Sequence, residues 1–421
     1  MQAKVSKTCL HNGIRILTKQ IPHVHSVSMG VWVDAGARDE TPAENGLSHL
    51  IEHMIFKGTK RRTAFQIAKE FDAIGGQSNA FTSMENTCFH GRVMDTHLAT
   101  MVDIFCDIFL NSTFDDAELE RERPIILQEI GMVEDSPEEF IHVLLGKAYW
   151  GNHPLGQSVL GTRENLLLFD SAMIKDFFRR FYQPGRIVIS AAGNLNHDQF
   201  LDLAAPAFEA VAPGPDLPCR LPPNGQKQQH ISVRDLEQVH IGLATRGLSV
   251  SDPRRYACSL MNTILGGNMS SRLFQEIREL RGLAYSVYSF ISPQVGGGMF
   301  GAYAGVEPGR VGETVDLILQ EMRKLKISPV TTDELRDAKE YTKGQILLSA
   351  ESVENQMARL AQNEMHMGRY VPVEEIVGEI EAVTQEDISS LACELFHTDP
   401  LSLALLGPVA AEFDFNPLLV L

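Results

Sequence analysis

The sequence contains little of what marks a secreted or membrane-spanning chain. Its 421 residues include six cysteines, which lie far apart and form no CxxC pair, so we expect free thiols in a reducing compartment rather than a disulfide framework. No apolar run approaches the roughly 20 residues of a transmembrane helix, and residues 1–8 lack the apolar core of a secretory signal. The sequence therefore predicts a cytoplasmic protein with no membrane partner.

Positive charge is also scarce. The chain has 37 Lys and Arg against 54 Asp and Glu, which gives a formal net charge of −17. Nucleic acids and anionic membranes are bound by clustered Lys and Arg, so this balance argues against both as partners. A basic peptide is a partner that the charge would favour. The alternative interpretation is that the charge only keeps the protein soluble.

Proline and glycine are concentrated near the middle of the chain, in residues 212–227. This segment, APGPDLPCRLPPNGQK, holds five prolines and two glycines and cannot continue a helix or a central strand. It is the predicted linker between a first half, 1–211, and a second half, 228–421. Helical and strand-like patterns follow in a similar order in the two halves, which indicates a duplicated α+β unit with a helix-covered sheet. One long strand is predicted over residues 78–94.

The segment 45–58, NGLSHLIEHMIFKG, carries the pattern with the clearest chemistry. Its apolar residues recur at i, i+3, i+4, i+7 and i+8, which predicts an amphipathic helix with Asn45 as its N-cap. His49 and His53 lie one turn apart on one face of that helix, and Glu52 lies beside them. Two such imidazoles can share a zinc ion, and the carboxylate can take a proton from water. The spacing is H-x-x-E-H, the inverzincin signature; the alternative is two surface histidines.

A zinc hydrolase needs a third protein ligand, usually from another element. Glu129 lies in a second helical pattern and is the candidate. Glu122 lies two turns earlier, where it could hydrogen-bond a ligand from behind; the alternative is a solvated helix carboxylate. Pro124 lies between the two and favours a kink, which weakens the same-face argument for Glu122.

Further motifs run in order through both halves of the chain. They are GLSHLIEHMIFKGT (46–59), GGQSNAFT (75–82), the Glu122 and Glu129 pair, EDSPE (134–138), HPLG (153–156), GNL (193–195) and LFQEIRELRGLAYS (273–286). Taken together, they resemble the pitrilysin/insulinase superfamily of zinc peptidases, and most of all its mitochondrial-processing-peptidase-like members, including their bacterial relatives.

The resemblance implies a role for each motif residue of the first half. The zinc ligands would be His49, His53 and Glu129, with Glu52 as the general base. Glu122 would orient a ligand from behind. The second half has no H-x-x-E-H, so we expect zinc in the half 1–211 alone.

The resemblance also implies substrate-binding residues. Asn79 and Ala80 would lie on an edge strand beside the metal, to which the peptide adds as a further strand. In the second half, Arg278 would anchor a substrate carbonyl and Tyr285 would stabilise the oxyanion. By residue type alone, the alternatives are a solvated arginine and a core tyrosine.

For the whole molecule, the resemblance implies two homologous halves that close like a clam around an acidic chamber. Such a chamber would admit short or unfolded peptides, and a homodimer is expected because single-chain members of the family use two pairs of halves. The predicted function is a zinc-dependent endopeptidase. The alternative is a non-catalytic scaffold or core subunit, or a subunit that needs a different partner chain. The intact His49, Glu52, His53 and Glu129 favour the enzyme.

Overall fold

The polypeptide forms two β-sheets with helices packed on them, which confirms the predicted α+β class. This computed structural model describes residues 4–214, 219–410, 414–415 and 417–421. The strands of the described residues are β1 (Val5–Cys9), β2 (Arg15–Gln20), β3 (Ser26–Val33), β4 (Gln77–Thr82), β5 (Thr87–Met94), β6 (Ile187–Gly193), β7 (Gln229–Val233), β8 (Val239–Gly247), β9 (Ala284–Gln294), β10 (Gly297–Val306) and β11 (Ser402–Gly407). The helices are α1 (Leu47–Met54), α2 (Ala64–Ala73), α3 (Leu98–Asn111), α4 (Asp116–Asp135), α5 (Pro137–Trp150), α6 (Arg163–Leu168), α7 (Ser171–Phe181), α8 (His197–Phe208), α9 (Arg255–Gly266), α10 (Val311–Ile327), α11 (Thr332–Ser349), α12 (Val353–Met367), α13 (Val373–Ala382) and α14 (Gln385–Leu395).

The chain forms two compact units, and each unit draws on both halves of the sequence. The first unit comprises Met1–Gly131, Gln157–Cys219 and Leu348–Val371. The second comprises Met132–Gly156, Arg220–Leu347 and Pro372–Leu421. The first unit thus includes α12 from the second half of the chain, and the second unit includes α5 from the first half.

The proline-rich segment 212–227 contains the point, at Cys219 and Arg220, where the chain leaves the first unit for the second. Residues 215–218 of the predicted linker lie outside the described residues, and its other residues form neither helix nor strand. Among the described residues, no helix combines the length and the apolar character needed to cross a membrane.

The sheet of the first unit has the strand order β1-β2-β6-β3-β5-β4, so β4 lies at an edge beside β5. The β2–β6 pair is parallel and the other pairs are antiparallel. Alternate residues of β3, such as Met29 and Val31, pack with α1 and α3 on one face. On the opposite face, Trp32 and Cys88 pack against Met357 and Leu360 of α12.

The sheet of the second unit has the order β7-β11-β8-β10-β9, which leaves β9 at an edge. Helices α9 and α10 share a core with one face of this sheet. Helix α5 packs against β8 and β11. It lies so close to Gly242 of β8 that an added Cβ there would be 3.2 Å from Leu145 Cδ2. Each sheet is therefore covered on both faces, and on one face by a helix from the other half of the chain.

Candidate metal centre

Helix α1 forms where the periodicity predicts it, over Leu47–Met54. Leu50, Ile51 and Met54 are fully buried in the core of the first unit. This apolar stripe fixes the rotation of the helix, because turning it would expose these side chains to water. His49 and His53 consequently lie on a flank of the helix, where their rings are 4.7 Å apart in an edge-to-face arrangement.

Three donor atoms from two helices converge at this flank. Glu129 Oε2, on α4, lies 3.5 Å from His49 Nε2 and 3.4 Å from His53 Nε2. Among the residues that the structure describes, these three side chains are the only group of three His, Cys, Asp or Glu whose donor atoms lie within 4.8 Å of one another.

The donor set fits a zinc ion. Two ligands of a tetrahedral zinc ion with bonds of about 2.0–2.1 Å lie about 3.3–3.4 Å apart, close to the measured separations from Glu129. Hydrogen bonding by His49, opposed by partial burial, holds the pKa of the Glu129 carboxyl below its usual range. The carboxyl is therefore ionised at neutral pH, as a ligand must be.

Glu122 lies behind His53. Its Oε2 is 3.3 Å from His53 Nδ1, and its Oε1 is 2.6 Å from Lys57 Nζ. Glu122 is buried, so Lys57 supplies the positive charge that a buried carboxylate needs. Pro124 lies inside a continuous α4, and His53 lies beside both Glu122 and Glu129.

Glu52 and the edge strand β4 border one cavity of about 370 Å³. Glu52 and His53 line it on the α1 side, and Asn79 and Ala80 line it on the β4 side. Lys57 and Ser78 also line the cavity, and the apolar part of the wall consists of Phe56, Ala64, Ile67 and Ala68. The cavity therefore brings the acid–base candidate, one metal-ligand candidate and an edge strand together.

The run 78–94 is not the single long strand that its alternation predicts. It is a hairpin in which β4 and β5 pair, with Asn79 opposite His90 and Ala80 opposite Phe89. Ser83 closes the turn, because its N–H donates to Asn86 O at 2.8 Å and its hydroxyl accepts from Asn86 N at 3.0 Å. The local side-chain bonds of a serine turn outweigh the strand pattern here.

Arg278 and Tyr285 lie together in the second unit. Arg278 is on a π-helical turn at Phe274–Glu279, and its guanidinium lies over the rings of Phe274 and Tyr285, at 4.7 and 4.6 Å from their centroids. Tyr285 is 77% exposed at the start of the edge strand β9, so it is not a core aromatic residue.

The sequence-based prediction is wrong about the N-cap and does not find two supporting residues. The N-cap of α1 is Gly46, whereas the Asn45 amide donates to Glu40 and to Ser158 O. The supporting residues are Lys57, which contacts Glu122, and Glu40, which binds the start of α1. Lys57 follows His53 by four residues, a spacing that could have identified it.

Two family models match most of the chain. Residues 15–163 match the insulinase (peptidase family M16) model, and residues 169–341 match the model of the peptidase M16 inactive domain. The second description agrees with the absence of H-x-x-E-H from the second half.

Relatives and solved structures extend the match over nearly the whole chain. An uncharacterized zinc protease of Bacillus subtilis is 41% identical over 403 residues, 95% of this chain and 97% of that protein. One of Streptomyces coelicolor is 37% identical over 413 residues, 96% and 90% of the two chains. The fold is shared with the peptidase M16 inactive domain from Pseudomonas fluorescens (TM-score 0.90, 22% identity, 98% of this chain and 100% of that one) and a protease from Helicobacter pylori (TM-score 0.87, 20% identity, 96% and 99%). The resemblance seen in the motifs is thus confirmed, and the chain belongs to the insulinase (M16) family of peptidases.

Proposed function

We propose that this protein is a zinc-dependent endopeptidase that cleaves short or unfolded peptides. The observation that carries the proposal is the convergence of His49 Nε2, His53 Nε2 and Glu129 Oε2 next to Glu52. Relatives that are named zinc proteases support the same activity. We assign the three converging side chains as zinc ligands.

The side chains around the ligands have separate tasks in this proposal. Zinc held there would polarise the scissile carbonyl and lower the pKa of water at the site. Glu52 takes a proton from the attacking water and delivers it to the leaving amine. Glu122 accepts a hydrogen bond from His53 Nδ1, which fixes the tautomer that leaves Nε2 free to bind a metal. Lys57 pairs with the other carboxylate oxygen of Glu122 at 2.6 Å.

The peptide binds at β4 in this proposal. Because β4 is an edge strand, its free backbone groups can pair with an extended peptide whatever its side chains. Asn79 and Ala80 line the same cavity as Glu52. Phe56 and Ile67 make that cavity suitable for one apolar side chain of the substrate.

For Arg278 and Tyr285 we propose the roles that the family resemblance implies, which are binding of a substrate carbonyl and stabilisation of the oxyanion. The exposure of Tyr285 leaves its hydroxyl accessible to a ligand. Stacking against Tyr285 keeps the Arg278 guanidinium in a defined place. We also propose that the active form is a homodimer with a peptide substrate.

The experiment that tests the function combines metal analysis with hydrolysis of a basic, unfolded peptide, with and without a chelator. Glu52→Gln should keep stoichiometric zinc and lose about 10²–10⁴-fold in kcat, because only the proton transfer is removed. His49→Ala should lose the zinc. Full turnover by Glu52→Gln would remove Glu52 from the base role. A wild-type protein that holds zinc and cleaves only after another chain is added would identify a partner-dependent subunit.

A further inference from the structure

The first turn of α1 is capped by a side chain from outside the helix. Its N-cap, Gly46, has φ of 108° and no side chain to offer, so the N–H groups at the start of the helix need another acceptor. Glu40 provides it. Its carboxylate accepts from Gly46 N at 2.8 Å and from Ser48 N at 2.6 Å. A negative charge at this end also interacts favourably with the helix dipole.

Glu40 can fix the start of α1 because the backbone next to it is itself fixed against the β4–β5 turn. The backbone just before it is tied to the β4–β5 turn, since Arg38 N donates to Met84 O at 2.7 Å. The Arg38 guanidinium pairs with Glu85 of the same turn at 2.5 Å, and both side chains are buried. Close packing adds to this, because a Cβ on Gly36 would lie 2.4 Å from Ser83 O.

The two histidines differ in what orients them. His53 has Glu122 next to its Nδ1. His49 Nδ1 is buried and has no hydrogen-bond partner among the described residues. No described residue orients the ring of His49 from its Nδ1 side, so the backbone matters more for its placement. The residue just before it, Ser48, is the one whose N–H Glu40 binds.

Burying the Glu40 carboxylate costs free energy of desolvation, which a purely structural role would not require. Glu40 is 2% exposed, and burial raises its pKa to about 7, although the hydrogen bonds from Ser48, Gly46 and Asn45 act in the opposite direction. A neutral side chain at this position would avoid the desolvation of a charge. Two strong acceptor oxygens at the start of α1 are what the carboxylate adds.

We propose that Glu40 is a positioning residue of the metal centre, which fixes the first turn of α1, and with it His49, against the β4–β5 hairpin. The inference rests on the proposed function only in taking His49 as a zinc ligand. Glu40 touches neither substrate nor metal, and it acts through the backbone of Ser48.

The test measures zinc affinity by chelator competition at pH 8, where Glu40 is ionised, in wild type and Glu40→Gln. The amide has nearly the same shape but one acceptor oxygen instead of two, so the first turn of α1 is held less firmly. We expect the zinc dissociation constant to rise about tenfold, as for other residues behind a ligand. With zinc saturating, we expect a lower kcat and an unchanged KM, since β4 keeps its place. Amide hydrogen exchange at Ser48 in the zinc-free protein should become faster.

The matched control is Glu364→Gln. Glu364 is a buried carboxylate of the same unit, and it pairs with Lys7 at 2.7 Å on β1, at the opposite edge of the sheet from β4. We expect its loss to change stability and to leave zinc affinity unchanged. If Glu40→Gln lacks a cooperative thermal melt, Glu40→Asp, whose carboxylate is one methylene shorter, should show the same loss of zinc affinity in a folded protein.

The outcomes separate two kinds of failure. Equal zinc affinity in wild type and a folded Glu40 variant would overturn this inference alone. An equal loss in Glu364→Gln would also overturn it, because general destabilisation would then explain the effect. A wild-type protein that binds no zinc would overturn the proposed function and this inference together.

Discussion

At the scale of single residues, the two histidines of the candidate metal centre differ in their support. His53 has the more direct side-chain support. Glu122 lies against His53 Nδ1 and is paired with Lys57. A buried carboxylate in this relation to a metal-binding imidazole fixes its tautomer and raises its basicity. We therefore expect Glu122 to contribute to metal affinity without contacting the metal.

Glu122→Gln tests this support. We expect zinc affinity to fall about 10–100-fold, because the amide is a weaker acceptor for His53 and leaves the Lys57 charge without its partner. Chelator competition measures the change. Glu120→Gln on the same helix, where the side chain is 68% exposed, is the control and should bind zinc like wild type. An unchanged affinity in Glu122→Gln would mean that Glu122 supports only the fold.

The titration of Glu40 predicts how stability depends on pH. Its pKa is about 7 in the folded chain against an ordinary 4.5, so between these values the folded protein holds a proton that the unfolded chain has released. The resulting stability is present at pH 5 and is lost as the pH rises through 7. We expect the free energy of unfolding of wild type, relative to Glu40→Gln, to fall by about 3 kcal/mol at most between pH 5 and pH 8. Urea unfolding of the zinc-free proteins measures it, and a constant difference would contradict the raised pKa.

Among the elements, α1 was predictable from the sequence and the hairpin beside it was not. The apolar stripe of α1 needs only local periodicity, and the buried Leu50, Ile51 and Met54 bear it out. In 78–94 the alternation is that of a strand throughout. The strand is interrupted because the Ser83 side chain hydrogen-bonds to the backbone of Asn86 and forms a turn. Such local side-chain bonds compete with strand pairing, and the alternation of residue types does not reveal them.

Helix α4 contains a proline between the two carboxylates of the candidate site. Proline inside a helix removes one backbone donor, and the sequence therefore suggested a kink between Glu122 and Glu129. Pro124 does not end the helix, which runs over Asp116–Asp135. Because Pro124 has no backbone N–H, the carbonyl of Glu120 has no donor within the helix. The side chain of Glu120 is exposed, so water can replace the lost donor.

The edge strand β4 can be tested by blocking its backbone. Ala80 N donates to the side-chain Oδ1 of its neighbour Asn79 at 2.8 Å, and a substrate carbonyl that pairs with β4 here would take the place of that side chain. Ala80→Pro removes this donor while the β4–β5 pair stays intact. We expect kcat/KM for unfolded peptides to fall about tenfold, the value of one hydrogen bond, with zinc content unchanged. Ala80→Ser keeps the N–H and is the control; equal kinetics in both variants would argue against peptide binding at β4.

At the scale of the whole molecule, the net charge of −17 leads to a prediction about which peptides are preferred as substrates. If it attracts peptides, Lys- and Arg-rich peptides should be cleaved faster than Glu-rich ones at low salt. The advantage should shrink at high salt, because the screening length falls from about 10 Å at 0.1 M to about 3 Å at 1 M. Peptide hydrolysis at the two salt concentrations measures this. Equal rates at low salt would leave the charge with a role in solubility alone.

The exchange of helices between the two halves of the sequence has a consequence for how the protein is made. The face of the first sheet that carries Trp32 and Cys88 is covered by α12, whose last residue is Met367. During synthesis, this apolar face stays bare until most of the chain has left the ribosome. Until α12 is synthesised, the nascent first half exposes this face and is therefore a candidate for chaperone binding.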